Sequence, residues 1–562
     1  MDICHSCSPV FYAALDPTRI PLVLARFDSS GWTSIKRDII HVHRSLCGVL
    51  HLARLQAIHR GAFVDLWNTV WPWVVFLDEY EESIALDDIL RAEIRYLRFM
   101  RLIRFLHDDE ATNRIIASPS GLYVVVGRAW RHLVHAKSDG GISDVSHFLR
   151  FLFDNDWDAA AFDELIVGCG GTRLDLAALI VSHIQRLLPS AHSSVTSETI
   201  CHLMGIRWIV NCAAVPHEPD PVFQKALLSC GIVNALTAAS RALCESTDHG
   251  AGRVLKGFFP ALVDHISSFP SLWLTESLRT GLLDIVFAPR HRDAISSSLS
   301  GLFNHVLLPA AAYHSVLVQF RISLGGVRDV DAAAIFDDAA LLAHWESFLE
   351  VAENRCRILG EYENGTLMAP RVCDDLEVGY LMHALRGDLD FSPGQSAQKV
   401  FPKQDLKRCG GCLTTYYCSP KCQANDWECG GHRQACGDLS SRREQYYSRH
   451  SARDRSFLRT LVYHEYTTRR EEIAQKHLLL VKQYPSELPS TAFDFTKPNA
   501  EIVVGPLEGL RPLLEFEVEK ATRSGGKTEL YVAKVLYGDH GMPRVWPFLL
   551  HVRTVDWSMS AE

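Results

Sequence analysis

The chain has 562 residues, 47% hydrophobic and 22% charged, with a formal net charge of −9. That length and ordinary globular usage predict several domains with a sizeable core, not a disordered or fibrous chain. The acidic balance excludes polyanion binding by bulk charge, and 16 cysteines are too few for a disulfide scaffold, so a reducing compartment, nucleus or cytoplasm, is expected.

Residues 1–20 lack a basic patch followed by an apolar stretch, so no signal peptide is expected. The richest apolar run, 67–77, is too short to span a bilayer and holds Asn68 and Pro72, so no membrane association is expected. Residues 1–355 read as α-helical. Ile35, Ile39, Val42, Leu46, Val49 and Ala53 recur at 3–4 spacing, as do Leu90, Ile94 and Leu97, and Leu176, Ile180, Ile184 and Leu187. His41, His43 and His51 fall on one of these helices and read as exposed or internally satisfied. Four junctions place a Gly between apolar runs, at Gly121, Gly231, Gly281 and Gly301. A left-handed Gly there closes one helix and opens the next. Serial helices of this kind predict a solenoid-like region that resembles armadillo- or HEAT-type solenoids.

A helix from about Asp331 to Arg355, with Leu342, Trp345, Leu349 and Ala352 on its buried face, leads towards a loop at 387–401 with a turn at Ser392-Pro393-Gly394-Gln395-Ser396. Next come six metal-ligand residues: Cys409-x2-Cys412, Cys418-x3-Cys422 and His432-x3-Cys436. Zinc takes four N/S ligands in a tetrahedron, delivered by such short spacers. Six ligands exceed one ion, so two ions and a partner ligand outside the run are implied. Beyond it, 440–484 reads as an Arg-rich helical segment, and 490–562 as a small antiparallel β-unit. In that unit 515–519 and 531–537 alternate as strands around a turn at Ser524-Gly525-Gly526. The fold class is therefore mainly α, with a zinc-stabilised segment and a short β-unit.

The stretch Arg408-Cys409-Gly410-Gly411-Cys412, Tyr416-Tyr417-Cys418-Ser419-x2-Cys422-Gln423-x2-Asp426-Trp427, His432-x3-Cys436 resembles the MYND zinc finger. The wider layout resembles fungal proteins that join a long helical region to a MYND finger in the C-terminal half. The resemblance implies a finger over 373–436 with a long internal insert, and two zinc ions in cross-brace order. The second ion would take Cys409, Cys412, His432 and Cys436. The first would take Cys418 and Cys422 with an upstream pair, of which Cys373 matches but Val378 stands at the other position. Valine cannot ligate zinc; Cys356, His383 and Cys429 are the alternatives, and one full and one incomplete site are expected.

The resemblance also implies docking of proline-containing peptides beside a finger strand, in a groove bordered by Gln423 and Trp427. Protein or peptide partners and an adaptor role follow. The alternatives are a MYND-associated lysine methyltransferase and a transcription-linked, nucleic-acid-associated regulator. For the first, Asn304-His305-Val306 is the nearest cofactor-motif fragment and lacks its Cys. For the second, Arg442, Arg443, Arg449, Arg453, Arg455 and Arg459 lie among Tyr446, Tyr447 and Phe457, but Glu444, Asp454, Glu465, Glu471 and Glu472 dilute them, so the stretch reads as a solvated helix. Gly525-Gly526-Lys527-Thr528 fails as a phosphate loop because Ala521 replaces the required Gly. No catalytic residue is expected.

Overall fold

A computed structural model of the chain describes residues 10–83, 91–107, 121–136, 139–154, 159–188, 194–212, 220–369, 373–375, 406–444, 450–524, 528–536 and 543–551. Leu90, Val378, His383, the 379–404 insert with its 392–396 turn, Tyr446, Tyr447, Arg449, Gly525, Gly526, Lys527 and Tyr537 lie outside the described residues. The chain divides into two compact units, 1–265 with 288–296, and 266–287 with 297–562.

The first unit is helical throughout its described residues. Trp32–Arg54 buries Ile35, Ile39, Val42, Leu46, Val49 and Ala53, the set whose spacing predicts it. Arg173–Leu187 buries Leu176, Ile180 and Ile184 and opens on a capping box between Thr172 and Asp175. Ala92–His107 instead turns Tyr96, Phe99, Met100 and Ile103 fully inward, leaving Ile94 and Leu97 at the margin. Helices pack on near neighbours in sequence: Leu122–His135 on Ala159–Cys169, Asp139–Asp154 on Ser197–Cys212, and Arg173–Leu187 on Pro221–Ser229. This serial packing suggests an armadillo- or HEAT-like arrangement. Among the described residues no single helix is long and apolar enough to cross a membrane.

Gly231 shows why a glycine stands at such a junction. Its φ of 87° is left-handed, and the axes of Pro221–Ser229 and Ile232–Glu245 turn by 73° across it. Gly121 and, in the second unit, Gly281 cap their following helices in the same conformation. Gly301 does not: its φ is −61°, and the helix continues through it into a π-helical turn, Leu302–Leu307. A different glycine device joins Leu122–His135 to Ala159–Cys169. A Cβ on Gly168 would stand 2.2 Å from the Val124 carbonyl oxygen, and one on Gly127 2.8 Å from that of Leu165. Gly168→Ala is therefore expected to destabilise by about 1–3 kcal/mol. Gly325→Ala, at an exposed helical site with nothing within 4 Å, is expected to stabilise by about 0.5–1 kcal/mol. Urea unfolding of the two variants checks the opposite signs.

A buried relay also crosses this unit. Trp130 Nε1 donates to His183 Nδ1 at 2.9 Å, and His183 Nε2 lies 3.2 Å from Ser146 Oγ, which donates to the Ile142 carbonyl at 2.8 Å. The indole can only donate, so His183 carries its proton on Nε2 and is neutral. Of the other histidines singled out in the sequence, His43 is buried beside Arg98, and His41 and His51 are exposed.

The second unit combines helices with a sheet. The helix expected from Asp331 is broken. Asp331 caps Ala332–Ile335, and a new helix, Ala339–Glu363, starts on Asp338. Phe336, non-helical between them, joins Phe287, Phe303 and Trp345 in an aromatic cluster, which rewards the interruption. Arg355 on the longer helix is buried and donates to the carbonyls of Leu308 at 3.4 Å and Phe495 at 3.5 Å. Burial lowers its pKa to about 10, which leaves it charged at neutral pH.

The β-unit is a four-stranded sheet: β3 (Pro489–Asp494), β4 (Glu501–Pro506), β5 (Thr528–Leu536) and β6 (Pro543–His551), in the order β4-β3-β5-β6. β3–β4 and β5–β6 are antiparallel, while β3 and β5 run parallel with Thr491 opposite Tyr531. Residues 515–519 are not a strand. They lie in the helix Arg511–Arg523, which is kinked at Leu514 (φ −136°); Pro512 sets the first turn, and Leu514, Val518 and Ala521 are buried. Five alternating residues satisfy both periods, and the burial of Val518 and Ala521 at i, i+3 goes with the helix. The Ser524 turn therefore joins a helix to β5, not two strands. Both sheet edges are capped: Arg469 and Lys476 bond the carbonyls of Ala500 and Ile502 at β4, and Arg459 bonds that of Leu549 on β6.

Candidate metal centre

The finger starts from two short antiparallel strands, β1 (Lys407–Arg408) and β2 (Tyr416–Tyr417), with Lys407 opposite Tyr417. The turn between them carries Cys409 and Cys412. It is closed by Cys409 N–H to the Thr415 carbonyl at 3.1 Å and Leu413 N–H to the Cys409 carbonyl at 3.0 Å. Ser419 caps the next helix, Pro420–Glu428, by accepting from Cys422 N–H at 3.2 Å, which sets Cys422 one turn from Cys418. Gly431 is left-handed and starts the helix His432–Arg442, where His432 and Cys436 share a face at i, i+4.

Two groups of ligand atoms result. The Cys409, Cys412, His432 and Cys436 ligand atoms lie within 4.8 Å of one another, and the Cys373, Cys418 and Cys422 thiols form a second such group. Tetrahedral zinc with Zn–S near 2.3 Å requires S–S edges of about 3.8 Å and S–N edges of about 3.6 Å. The Cys409–Cys436 sulfurs are 3.8 Å apart, and His432 Nε2 is 3.7 Å from the Cys412 sulfur and 3.2 Å from that of Cys409. This first-described set therefore fits a four-coordinate zinc. The second set fits three corners of one, with the Cys418 and Cys422 sulfurs 3.4 Å apart.

Ionisation favours the same chemistry. Burial opposes a charged Cys412, but the His432 ring and the Thr414 and Thr415 hydroxyls outweigh it and hold the thiol well below its usual range. A thiolate is the form that binds metal. Removing the His432 proton is part of metal uptake, so binding releases protons and weakens on acidification.

Of the alternatives for the missing ligand, Cys429 is exposed outside both groups, and Cys356 faces the Leu317 carbonyl at 3.9 Å, also outside them. Closing the roughly 36-residue span from Cys373 to the main run costs about 3 kcal/mol of chain entropy. That cost is met locally: Asp374 and Tyr416 exchange hydrogen bonds, Asp374 N–H to the Tyr416 carbonyl at 2.8 Å and Tyr416 N–H to Asp374 Oδ2 at 2.7 Å. Cys418 N–H then points to the Cys373 sulfur at 3.4 Å.

The residues between ligands have definite roles. Tyr417 OH donates to Asp426 Oδ2 at 2.6 Å, with both side chains buried, so the Tyr and Asp of the recognised run brace strand against helix. Trp427 lies edge-on to His432 at 5.7 Å and remains 37% exposed, and Gln423 is half-buried. Phe516 also packs against the thiol cluster. Sequence reasoning missed Asp374, Phe516 and Lys520 because their partners are distant in sequence; only the adjacency of Asp374 to Cys373 offered a signal.

Three arginines of the Arg-rich segment are used internally, while Arg453 is exposed. Arg442 pairs with Glu517 at 3.1 Å, Arg455 donates to the His450 carbonyl at 2.7 Å, and Arg459 caps β6. Phe457 is fully buried, within the helix Ala452–Thr468. Asn304 and His305 lie in the π-helical turn described above.

No curated protein and no solved structure matches the chain. Residues 396–436 match the MYND finger family. With the tetrahedral Cys/His group at its heart, this part of the chain is a MYND finger, a zinc-binding module for contacts between proteins.

Proposed function

We propose that the chain is an adaptor whose finger docks extended, proline-containing peptides at Gln423 and Trp427, with the helical region as a second binding platform. Trp427 carries this reading. Its indole rests one edge on the ligand His432 and keeps 37% of its surface open, an expensive exposure for a Trp beside a small core. A proline ring packs well on such a face. Strand β1 is exposed at both residues and offers an edge for main-chain pairing. Internal use of Arg442, Arg455 and Arg459 weighs against the nucleic-acid alternative. We assign no catalytic step: thiolate-rich coordination lowers the Lewis acidity of zinc. The three-thiol group is read as a second, weaker zinc site, and the free described cysteines support a nuclear or cytoplasmic setting.

The test is an array of proline-containing peptides probed with the full chain and with Trp427→Ala. Binding of a peptide subset that falls at least about tenfold in the variant, with zinc content unchanged, is the expected result. Equal binding by the two proteins overturns the groove.

A further inference from the structure

We propose that Lys520, on the helix Arg511–Arg523, is a positioning residue for the three-thiol metal site. Acting through Asp374, it holds Cys373 against Cys418 and Cys422. The proposal rests on the zinc reading of the finger and adds that this site is completed by the tail of the chain.

The geometry is a short relay. Asp374 Oδ2 takes the Tyr416 N–H, and its other oxygen, Oδ1, accepts from Lys520 Nζ at 3.0 Å. The next residue is tied as well, with Asn425 Nδ2 donating to Asp375 Oδ1 at 3.0 Å. Residues 373–375 thus lie along β2, and the Cys373 sulfur faces Cys418 as a consequence. Lys520 is only 6% exposed, its ammonium 5.7 Å from the centre of the Phe516 ring. An ammonium is costly to bury unless paired, so its place in the packed face of this helix is tied to the Asp374 carboxylate. Phe516, one turn earlier, packs on the cysteine cluster, and Glu517 pairs with Arg442 of the ligand-bearing helix. Removing the ammonium leaves the half-buried Asp374 carboxylate held by the Tyr416 N–H without its cationic partner, directly beside the ligand, and outer partners of this kind orient metal ligands.

The test is a cobalt titration of the full chain, read by its thiolate charge-transfer and tetrahedral d–d bands. The wild-type chain is expected to fill in two steps, a tighter one from Cys409, Cys412, His432 and Cys436 and a weaker one from the Cys373 group. Lys520→Met is expected to weaken the second step alone by about 10–100-fold, and Lys520→Arg to restore it. Three results overturn the proposal: a single step in the wild type, two unchanged steps in Lys520→Met, or equal loss of both steps, which marks a merely structural role. Absence of any sulfur-rich tetrahedral spectrum in the wild type sinks the zinc reading itself, a distinguishable outcome.

Discussion

Cys412→Ala is expected to unfold the finger. Cys412 is a fully buried corner of the complete tetrahedral group, and two hydroxyls and one imidazole converge on its sulfur. Apart from cysteines, the buried core around it consists of Tyr417 and Leu439. Two such side chains contribute about 3–6 kcal/mol by burial. Structural zinc contributes roughly 10–16 kcal/mol of apparent binding free energy in small fingers, so the ion decides whether this segment folds. Metal analysis should show at least one zinc lost, and amide exchange across 406–444 should approach the unprotected rate. Cys429→Ala, at an exposed thiol outside both groups, should retain zinc and protection. Full protection in Cys412→Ala would refute the metal-dependent fold.

Acid is expected to destabilise the first helical unit well before its carboxylates titrate. Burial lowers the pKa of His43 to about 4, with Arg98 adding to the shift, that of His183 to about 3, and that of His265 to about 4. In the unfolded chain each titrates near 6.5. Above that value both states are neutral and the groups cost nothing. Between 6.5 and the folded pKa the unfolded chain binds more protons, so stability falls as pH falls, levelling off below about 3. Each group accounts for roughly 3–5 kcal/mol at the low end. Two together rival the whole stability of a typical domain, about 5–15 kcal/mol. Urea midpoints should be flat from pH 8 to 7 and drop steeply from pH 6 to 4. His183 should dominate, because its protonation also sets an N–H against the Trp130 N–H. A flat profile through pH 5 would contradict the neutral buried relay.

Residue type and spacing made the ligand set and the first-unit helices legible. Cysteine pairs at fixed spacing and an i, i+4 His/Cys pair encode geometry locally, as does the apolar stripe of Trp32–Arg54. The tail was misread at 515–519, where five residues fit two periods and the deciding contacts of Leu514, Val518 and Ala521 come from the sheet. The Gly301 junction was misread because glycine permits a left-handed turn without requiring one. The Phe336 break and the Asp374–Lys520 pair depend on partners far along the chain, and no local pattern announces them.

The Asp374–Lys520 pair spans 146 residues of sequence. At translation rates of about 5–20 residues per second, Cys373 leaves the ribosome roughly 7–30 s before the lysine that anchors its neighbour exists. For that interval nascent thiols meet cellular metal pools and oxidants without their clamp. With Lys520 acting as proposed, chains stalled or cleaved before it would keep the Cys409, Cys412, His432 and Cys436 set but leave Cys373 without its clamp.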